Sequence, residues 1–205
     1  MQLEGHIYLV EDNADIRRHL TMALLRHGLT VAEFDNAEDF LKHATKQFPA
    51  VVLLDMALPG VNGVAAFSIL RDNGWTTPVV FISGQSEPTE IIEAMKMGAN
   101  NFLWKPFATS DLIDAISKAL DTDKQQMHHR EVAQQRVDLW NSMTDREQQI
   151  CGFMLNGMGN TEIAKRLEVM PDTIKKHRSR IFEKFYAMSL SDLIETFRGF
   201  EPPKQ

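Results

Sequence analysis

The sequence has a single cysteine, Cys151, among 205 residues. A disulfide framework and a thiolate zinc site are both excluded. Long hydrophobic stretches are missing as well. Apolar runs such as Ile7–Val10 and Val51–Leu54 are four residues long, far short of the roughly 18 that a membrane-spanning helix needs. No membrane partner is expected. The N-terminus meets Glu4, Glu11 and Asp12 before any long apolar segment and has no basic start, so a secretory leader is not expected and a cytoplasmic location is. Internal repeats and low-complexity segments are likewise absent. What remains, 43% hydrophobic and 24% charged residues, suits a globular chain able to bury a core. The length fits two modest domains.

The net charge of −6 is unevenly spread. Residues 1–120 hold nine Lys or Arg against fifteen Asp or Glu, whereas residues 143–205 hold ten against nine. Within the second region, residues 165–184 carry seven basic side chains against three acidic ones. A protein acidic overall will not coat nucleic acid indiscriminately, yet one basic face suffices to bind phosphates locally. A solvated helix face is the plainer meaning of such a run, so its context has to decide.

Hydrophobic patterning divides the chain. Ile7–Val10, Val31–Phe34, Val51–Leu54, Val79–Ile82 and Asn101–Trp104 read as strands, and amphipathic helical stretches follow at 14–27, 37–47, 64–73, 88–97 and 109–120. Near-continuous apolar strands suit a parallel sheet covered on both faces, and five strand–helix repeats predict a doubly wound, flavodoxin-like α/β fold with a five-stranded parallel sheet. Residues 121–142 turn to Gln, His, Asp and Arg, with Val132, Val137, Leu139 and Trp140 too sparse for a core; they are expected to form a helical linker. Beyond Met143 no strand pattern appears. Helices are expected at 144–156, 160–168, 171–186 and 190–198, making a small all-α domain over 143–205, with Pro202-Pro203 closing the last helix before a polar tail.

Chemistry gathers at the strand ends, where such sheets place their sites. The first strand ends in Glu11-Asp12 and the third in Asp55, so three carboxylates converge on one edge. Their repulsion calls for a hard cation, and Mg2+ fits a set of carboxylates, a carbonyl, waters and a phosphoryl oxygen. The fourth strand leads into Ser83-Gly84 and the fifth into Lys105-Pro106, adding a hydroxyl and an ammonium. With its charge shared among these groups, a phosphoryl group could be attacked in line by Asp55 to give an acyl phosphate. Each residue alone has a plainer use: Asp12 or Asn13 as a helix cap, Ser83 in a turn, Lys105 on the surface. Together they point to phosphoryl transfer.

Glu11-Asp12, the segment Asp55-Met56-Ala57-Leu58-Pro59-Gly60 with Gly63, Ser83-Gly84, and Phe102-Leu103-Trp104-Lys105-Pro106-Phe107 resemble the receiver domain of two-component response regulators over residues 5–120. The resemblance implies that Asp55 accepts phosphate from a sensor histidine kinase. It further implies that Glu11, Asp12, Asp55 and the Ala57 carbonyl hold Mg2+, and that Lys105 and Ser83 serve the phosphoryl group. It implies a cis bond before Pro106 and a switch pair of Ser83 and Phe102. Ala57 has no polar side chain to orient water, so slow autodephosphorylation is expected.

In the second region, Thr144 followed by Glu147 makes a capping box. Asn160 to Leu167, a short break, and a helix opening at Pro171 suit a helix-turn-helix. Ile174, Ile181 and Phe185 point inward at helical spacing and leave Asp172, Lys175, Lys176, Ser179 and Glu183 outward. Thr144 through Phe197 resembles the LuxR-type DNA-binding domain of the NarL/FixJ family. That resemblance places the helix from Pro171 in the major groove, with Lys175, Lys176 and Ser179 near base edges and Asn160, Thr161, Lys165 and Arg180 on phosphates. Met170 stands where a Ser cap is common in the family, and Cys151 reads as core.

The expectation is a transcription factor that acts on double-stranded DNA, as a homodimer when phosphorylated. The alternative is a phosphorylation-gated protein-interaction module without DNA output. No nucleophile–base set marks residues 143–205 as an enzyme, and the receiver would catalyse only its own phosphorylation and dephosphorylation.

Overall fold

The structure is a computed structural model and describes residues 2–85 and 87–201. The Pro202-Pro203 stop and the polar tail lie outside the described residues. The chain divides into two compact units, Met1–Met127 and His128–Gln205.

In the first unit the strands are β1 (His6–Val10), β2 (Thr30–Phe34), β3 (Ala50–Asp55), β4 (Val79–Ser83) and β5 (Asn101–Trp104), alternating with α1 (Ala14–Arg26), α2 (Ala37–His43), α3 (Gly63–Asp72), α4 (Pro88–Lys96) and α5 (Thr109–Asn141). All pairings are parallel in the order β2-β1-β3-β4-β5. This is the expected doubly wound sheet. The apolar strands fill both of its faces. Ile7, Leu9, Val51, Leu53, Val80 and Ile82 meet Leu20 and Leu24 of α1 and Leu112, Ile116 and Leu120 of α5. Tyr8, Val10, Val52, Leu54, Val79 and Phe81 meet Phe40, Phe67, Leu70 and Ala94 of α2, α3 and α4. Residues on alternate sides of one strand serve the two layers, as strand pleating demands.

Register sets the functional edge. Val10 pairs with Leu54, Asp55 with Ile82, and Ser83 with Trp104, so Glu11, Asp55, Ser83 and Lys105 leave the sheet at its carboxyl end. Helix α2 is shorter than expected because Ala44 turns extended (ψ 131°).

α5 runs for 33 residues, so the stretch from residue 121 to 141 is helical and continuous with the last helix of the receiver-like pattern. Two of its residues are built into cores or sheet edges that the sequence did not suggest. Asp123 is buried in the first unit and accepts the Ala50 amide at 2.9 Å. Trp140 is buried in the second unit, edge-to-face with Phe197 and beside Phe200. Its partners lie some sixty residues downstream, beyond the reach of local periodicity.

The second unit packs α6 (Asp145–Leu155), α7 (Asn160–Arg166), α8 (Pro171–Lys184) and α9 (Leu190–Thr196) around Ile150, Cys151, Met154, Ile163, Ala164, Ile174, Ile181, Leu193 and Phe197. Cys151 is core, and burial pushes its thiol up to about 12. At α6 the Thr144 hydroxyl accepts the Glu147 amide at 3.3 Å, and the Glu147 carboxylate accepts the Thr144 amide at 3.0 Å. α8 has no side-chain cap at Met170. It stops earlier than expected because Tyr186 takes a left-handed φ of 51°.

Candidate functional site

The acidic edge is built from β1, β3 and the chain after β5. Glu11 and Asp55 are buried, Asp12 is exposed, and one oxygen from each of the three carboxylates lies within 4.8 Å of the others. The Lys105 Nζ reaches between two of them, 2.5 Å from Glu11 Oε2 and 2.7 Å from Asp55 Oδ2. The Lys105–Pro106 bond is cis. Burial pushes the Glu11 carboxyl upward and the neighbouring Asp55 charge adds to this, with Lys105 opposing. For Lys105 burial pulls downward, but hydrogen bonds to Asp55 and Glu11 outweigh it and leave the ammonium raised. One ammonium against three carboxylates leaves the cluster negative, and every donor is a hard oxygen. That donor set fits a small divalent cation better than a soft metal.

Local backbone fixes these groups. Asn13 caps α1 by accepting the amides of Asp15 and Ile16 at 3.0 and 3.1 Å, which leaves Asp12 free of the capping role. Asp55 Oδ1 accepts the Ala57 amide at 3.0 Å. Gly63 is required by close approach, since a Cβ there would lie 2.3 Å from the Asp55 carbonyl oxygen. Gly60 has φ 73° in the turn between. Ser83 is fully buried at the end of β4, and its Oγ accepts the Gln85 amide at 3.2 Å. Phe102 is half-buried on β5, edge-to-face with Trp104 at 5.0 Å.

Two residues not singled out from sequence support this edge. Arg17 Nη1 donates to the Glu11 carbonyl at 2.6 Å and the Asp12 carbonyl at 3.3 Å, while its Nε faces Glu33 at 3.6 Å. Glu38 of α2 accepts the Val61 amide at 3.0 Å, tying down the chain between Asp55 and α3. Arg17 follows Asn13 by one helical turn and was in principle readable; the Glu38 contact spans two elements and was not.

The second unit presents a different surface. Thr161, Lys165, Lys175, Lys176, Ser179 and Arg180 are exposed and Asn160 is half-exposed. Lys175 Nζ also lies 3.2 Å from the exposed Asp172 Oδ1, and the other three basic residues of 165–184 are engaged elsewhere within the unit. Arg166 lies over Phe153 at 5.2 Å and Arg178 over Phe182 at 5.7 Å. Lys184 bonds the Ser142 carbonyl and faces Glu147 at 3.6 Å. The basic run therefore reduces to a compact outward set on α7 and α8, while Ile174 and Ile181 hold α8 to the core. His177 is half-buried, and its Nδ1 has no hydrogen-bond partner.

A parallel sheet with a carboxylate–lysine edge, followed by a helical unit with a solvent-facing basic helix, suits a phosphoacceptor module joined to a nucleic-acid-binding module. Comparison with known proteins makes this specific. Residues 7–117 match the response regulator receiver domain and residues 141–197 the bacterial regulatory proteins of the luxR family. The chain belongs to the response regulators that pair a receiver with a LuxR-type DNA-binding domain, the NarL/FixJ family. The tetrathionate response regulatory protein TtrR of Salmonella typhimurium is 31% identical over 97% of this chain and 94% of its own. The transcriptional regulatory protein FixJ of Bradyrhizobium diazoefficiens is 30% identical over 95% of each. Among solved structures, response regulator StyR aligns with a TM-score of 0.85 at 32% identity over 97% of this chain and all of that one. Full-length FixJ aligns with a TM-score of 0.58 at 30% identity, over 94% of this chain and 95% of that one. The match to a DNA-binding family favours DNA output over the alternative of a module that grips only protein. Among the described residues no helix is long and apolar enough to cross a membrane.

Proposed function

We propose that this response regulator is a cytoplasmic transcription factor, that a sensor histidine kinase phosphorylates it on Asp55, and that the phosphorylated chain pairs on DNA. Residues 1–120 serve as the receiver, 121–142 as the linker and 143–205 as the DNA-binding domain. The observation that carries the reading is the bridge from Lys105 Nζ to both Glu11 and Asp55 on the sheet edge.

In the transfer a carboxylate oxygen of Asp55 attacks the phosphorus of a phosphohistidine. The new O–P bond forms as the N–P bond breaks, and the imidazole leaves with the bonding pair and takes up a proton. Lys105 would follow the charge from carboxylate to phosphoryl oxygen. Glu11, Asp12, Asp55 and the Ala57 carbonyl would hold Mg2+, which when bound supplies neutralisation of the phosphoryl charge. Ser83 is the hydroxyl beside the same edge. Its turn toward the phosphoryl group, with Phe102 moving behind it, is the proposed switch. Driving such a switch from 1:99 to 99:1 needs about 5.5 kcal/mol of differential stabilisation, within reach of several charged hydrogen bonds.

In the helical unit the N-terminal part of α8 would enter the major groove, with Lys175, Lys176 and Ser179 near base edges and Asn160, Thr161, Lys165 and Arg180 on phosphates. Two half-sites about 10 base pairs apart are expected from a pair of such units. The test is a genomic DNA footprint with and without a phosphoryl donor. Lys175→Ala with Lys176→Ala is expected to abolish the footprint while phosphorylation proceeds; a footprint that survives both changes overturns the groove assignment of α8. Binding should also weaken steeply as salt rises.

A further inference from the structure

The exposed face of α8 carries an acid where a phosphate-seeking surface would be expected to carry none. Asp172 and Lys175 are separated by one helical turn, their side chains are 84% and 66% exposed, and Lys175 Nζ lies 3.2 Å from Asp172 Oδ1. An exposed pair of this kind contributes little to folding, about 0–1 kcal/mol. The neighbouring positions Ile174 and Ile181 are buried, which turns Asp172, Lys175 and Ser179 outward along one stripe over the first three turns of the helix. Near DNA the carboxylate should repel phosphates, so an acid in the first turn weakens non-specific binding.

We infer that Asp172 and Lys175 together read one C·G base pair, with cytosine on the strand that faces Asp172. The inference rests on the major-groove placement of α8. The chemistry follows from the base edges. In the major groove a cytosine presents its N4 amino donor beside the O6 acceptor of the paired guanine, and N7 of that guanine is a second acceptor. The protein pair presents the complement, a carboxylate acceptor and an ammonium donor 3.2 Å apart. Asp172 accepts from cytosine N4 while Lys175 donates to guanine O6 and N7. An A·T pair offers a similar donor and acceptor, but the thymine C5-methyl occupies the region where guanine supplies N7, so the ammonium loses one partner. A G·C pair in the same orientation reverses donor and acceptor and sets Asp172 against O6. The carboxylate therefore acts chiefly by rejection, since an unpaired acid facing an acceptor is costly.

The experiment is selection from a randomised duplex library by the full-length chain treated with acetyl phosphate and Mg2+, comparing wild type, Asp172→Ala, Asp172→Asn and Lys175→Ala. Circular dichroism checks that each variant is folded, which exposed positions should permit. Wild type is expected to select C·G at one position of each half-site. Asp172→Ala should lower discrimination at that position by about ten- to a hundredfold, leave the other positions unchanged, and tighten binding to non-cognate DNA. Lys175→Ala should lose the guanine preference at the same base pair. An enriched motif identical in wild type and Asp172→Ala, or changes from the two substitutions at different base pairs, overturns the pairing but leaves DNA binding intact. Wild-type protein that enriches no sequence overturns the DNA reading and the pair with it.

Discussion

Replacing Lys105 by Met removes the only ammonium in contact with Glu11 and Asp55 among the described residues while keeping much of the side-chain volume. Its Nζ stands 2.5 and 2.7 Å from the two carboxylates, and the side chain is 17% exposed. At an effective dielectric of about 20, each contact corresponds to about 6 kcal/mol of Coulomb attraction before solvation is counted. The cost of taking the ions out of water, several kcal/mol each, offsets most of that gain. Breaking such a pair nonetheless leaves buried charge uncompensated, and the expected loss of stability in the first unit is about 3–5 kcal/mol at neutral pH. The loss depends on pH in a defined direction. Burial and Asp55 already hold the Glu11 carboxyl above its ordinary value, and without Lys105 it should rise further. An acid with a raised folded value favours the fold while protonated. The variant should therefore approach wild-type stability in the acid range and lose ground as pH rises through the raised Glu11 value. Urea unfolding of the full chain followed by tryptophan fluorescence, with Trp75 and Trp104 reporting on the first unit, measures this. Added Mg2+ should recover part of the loss, about 2.7 kcal/mol at a hundredfold excess over its dissociation constant. Equal stability of variant and wild type across pH 5–9 would mean that Lys105 does not compensate the buried carboxylates.

Ala57 offers no side-chain donor or acceptor for water, so the Asp55 phosphate should persist, and Ala57→Asn should hasten its loss in a phosphate-release assay; a half-life of seconds in wild type, unchanged by the substitution, contradicts this. Thr144→Ala removes the hydroxyl half of the capping box and should cost the helical unit about 1 kcal/mol in thermal or urea unfolding. At the same box the Thr144 amide and Lys184 hold the Glu147 carboxyl below its ordinary value, so Glu147 contributes stability above the ordinary carboxylate range that is lost as pH falls through the lowered value; Glu147→Gln should flatten that acid limb. With its thiol pushed up to about 12, Cys151 should resist iodoacetamide at pH 8 in the native chain and react readily in urea, as followed by intact mass.

Sheet and edge were legible because their signals are local. Val51 to Leu54 is apolar without a break because β3 is covered on both faces, and the acidic and basic residues that matter stand at the ends of strands or just after them. The helix-turn-helix was readable for the same reason, through Thr144, Glu147, Pro171 and the spacing of Ile174 and Ile181. Contacts that join distant segments were not. Trp140 looks like an isolated aromatic in a polar helix until Phe197 and Phe200 close over it. Glu38 is one acid of a pair on α2, and only the fold shows it accepting the Val61 amide beside the Asp55 turn. Composition could count seven basic residues in 165–184 but could not show that Arg166, Arg178 and Lys184 are spent on Phe153, Phe182, Glu147 and the Ser142 carbonyl.

The proposed function requires that charge placed on Asp55 govern the hold of the second unit on DNA. Affinity for a footprinted genomic fragment, measured at fixed salt before and after acetyl phosphate and Mg2+ treatment in wild type and Asp55→Asn, tests it directly. Tighter binding by the treated wild type, with intact mass showing one added phosphoryl group and Asp55→Asn unmoved in both readouts, is the predicted result. Equal affinity of the treated and untreated wild type, with the phosphoryl group present on Asp55, would contradict it.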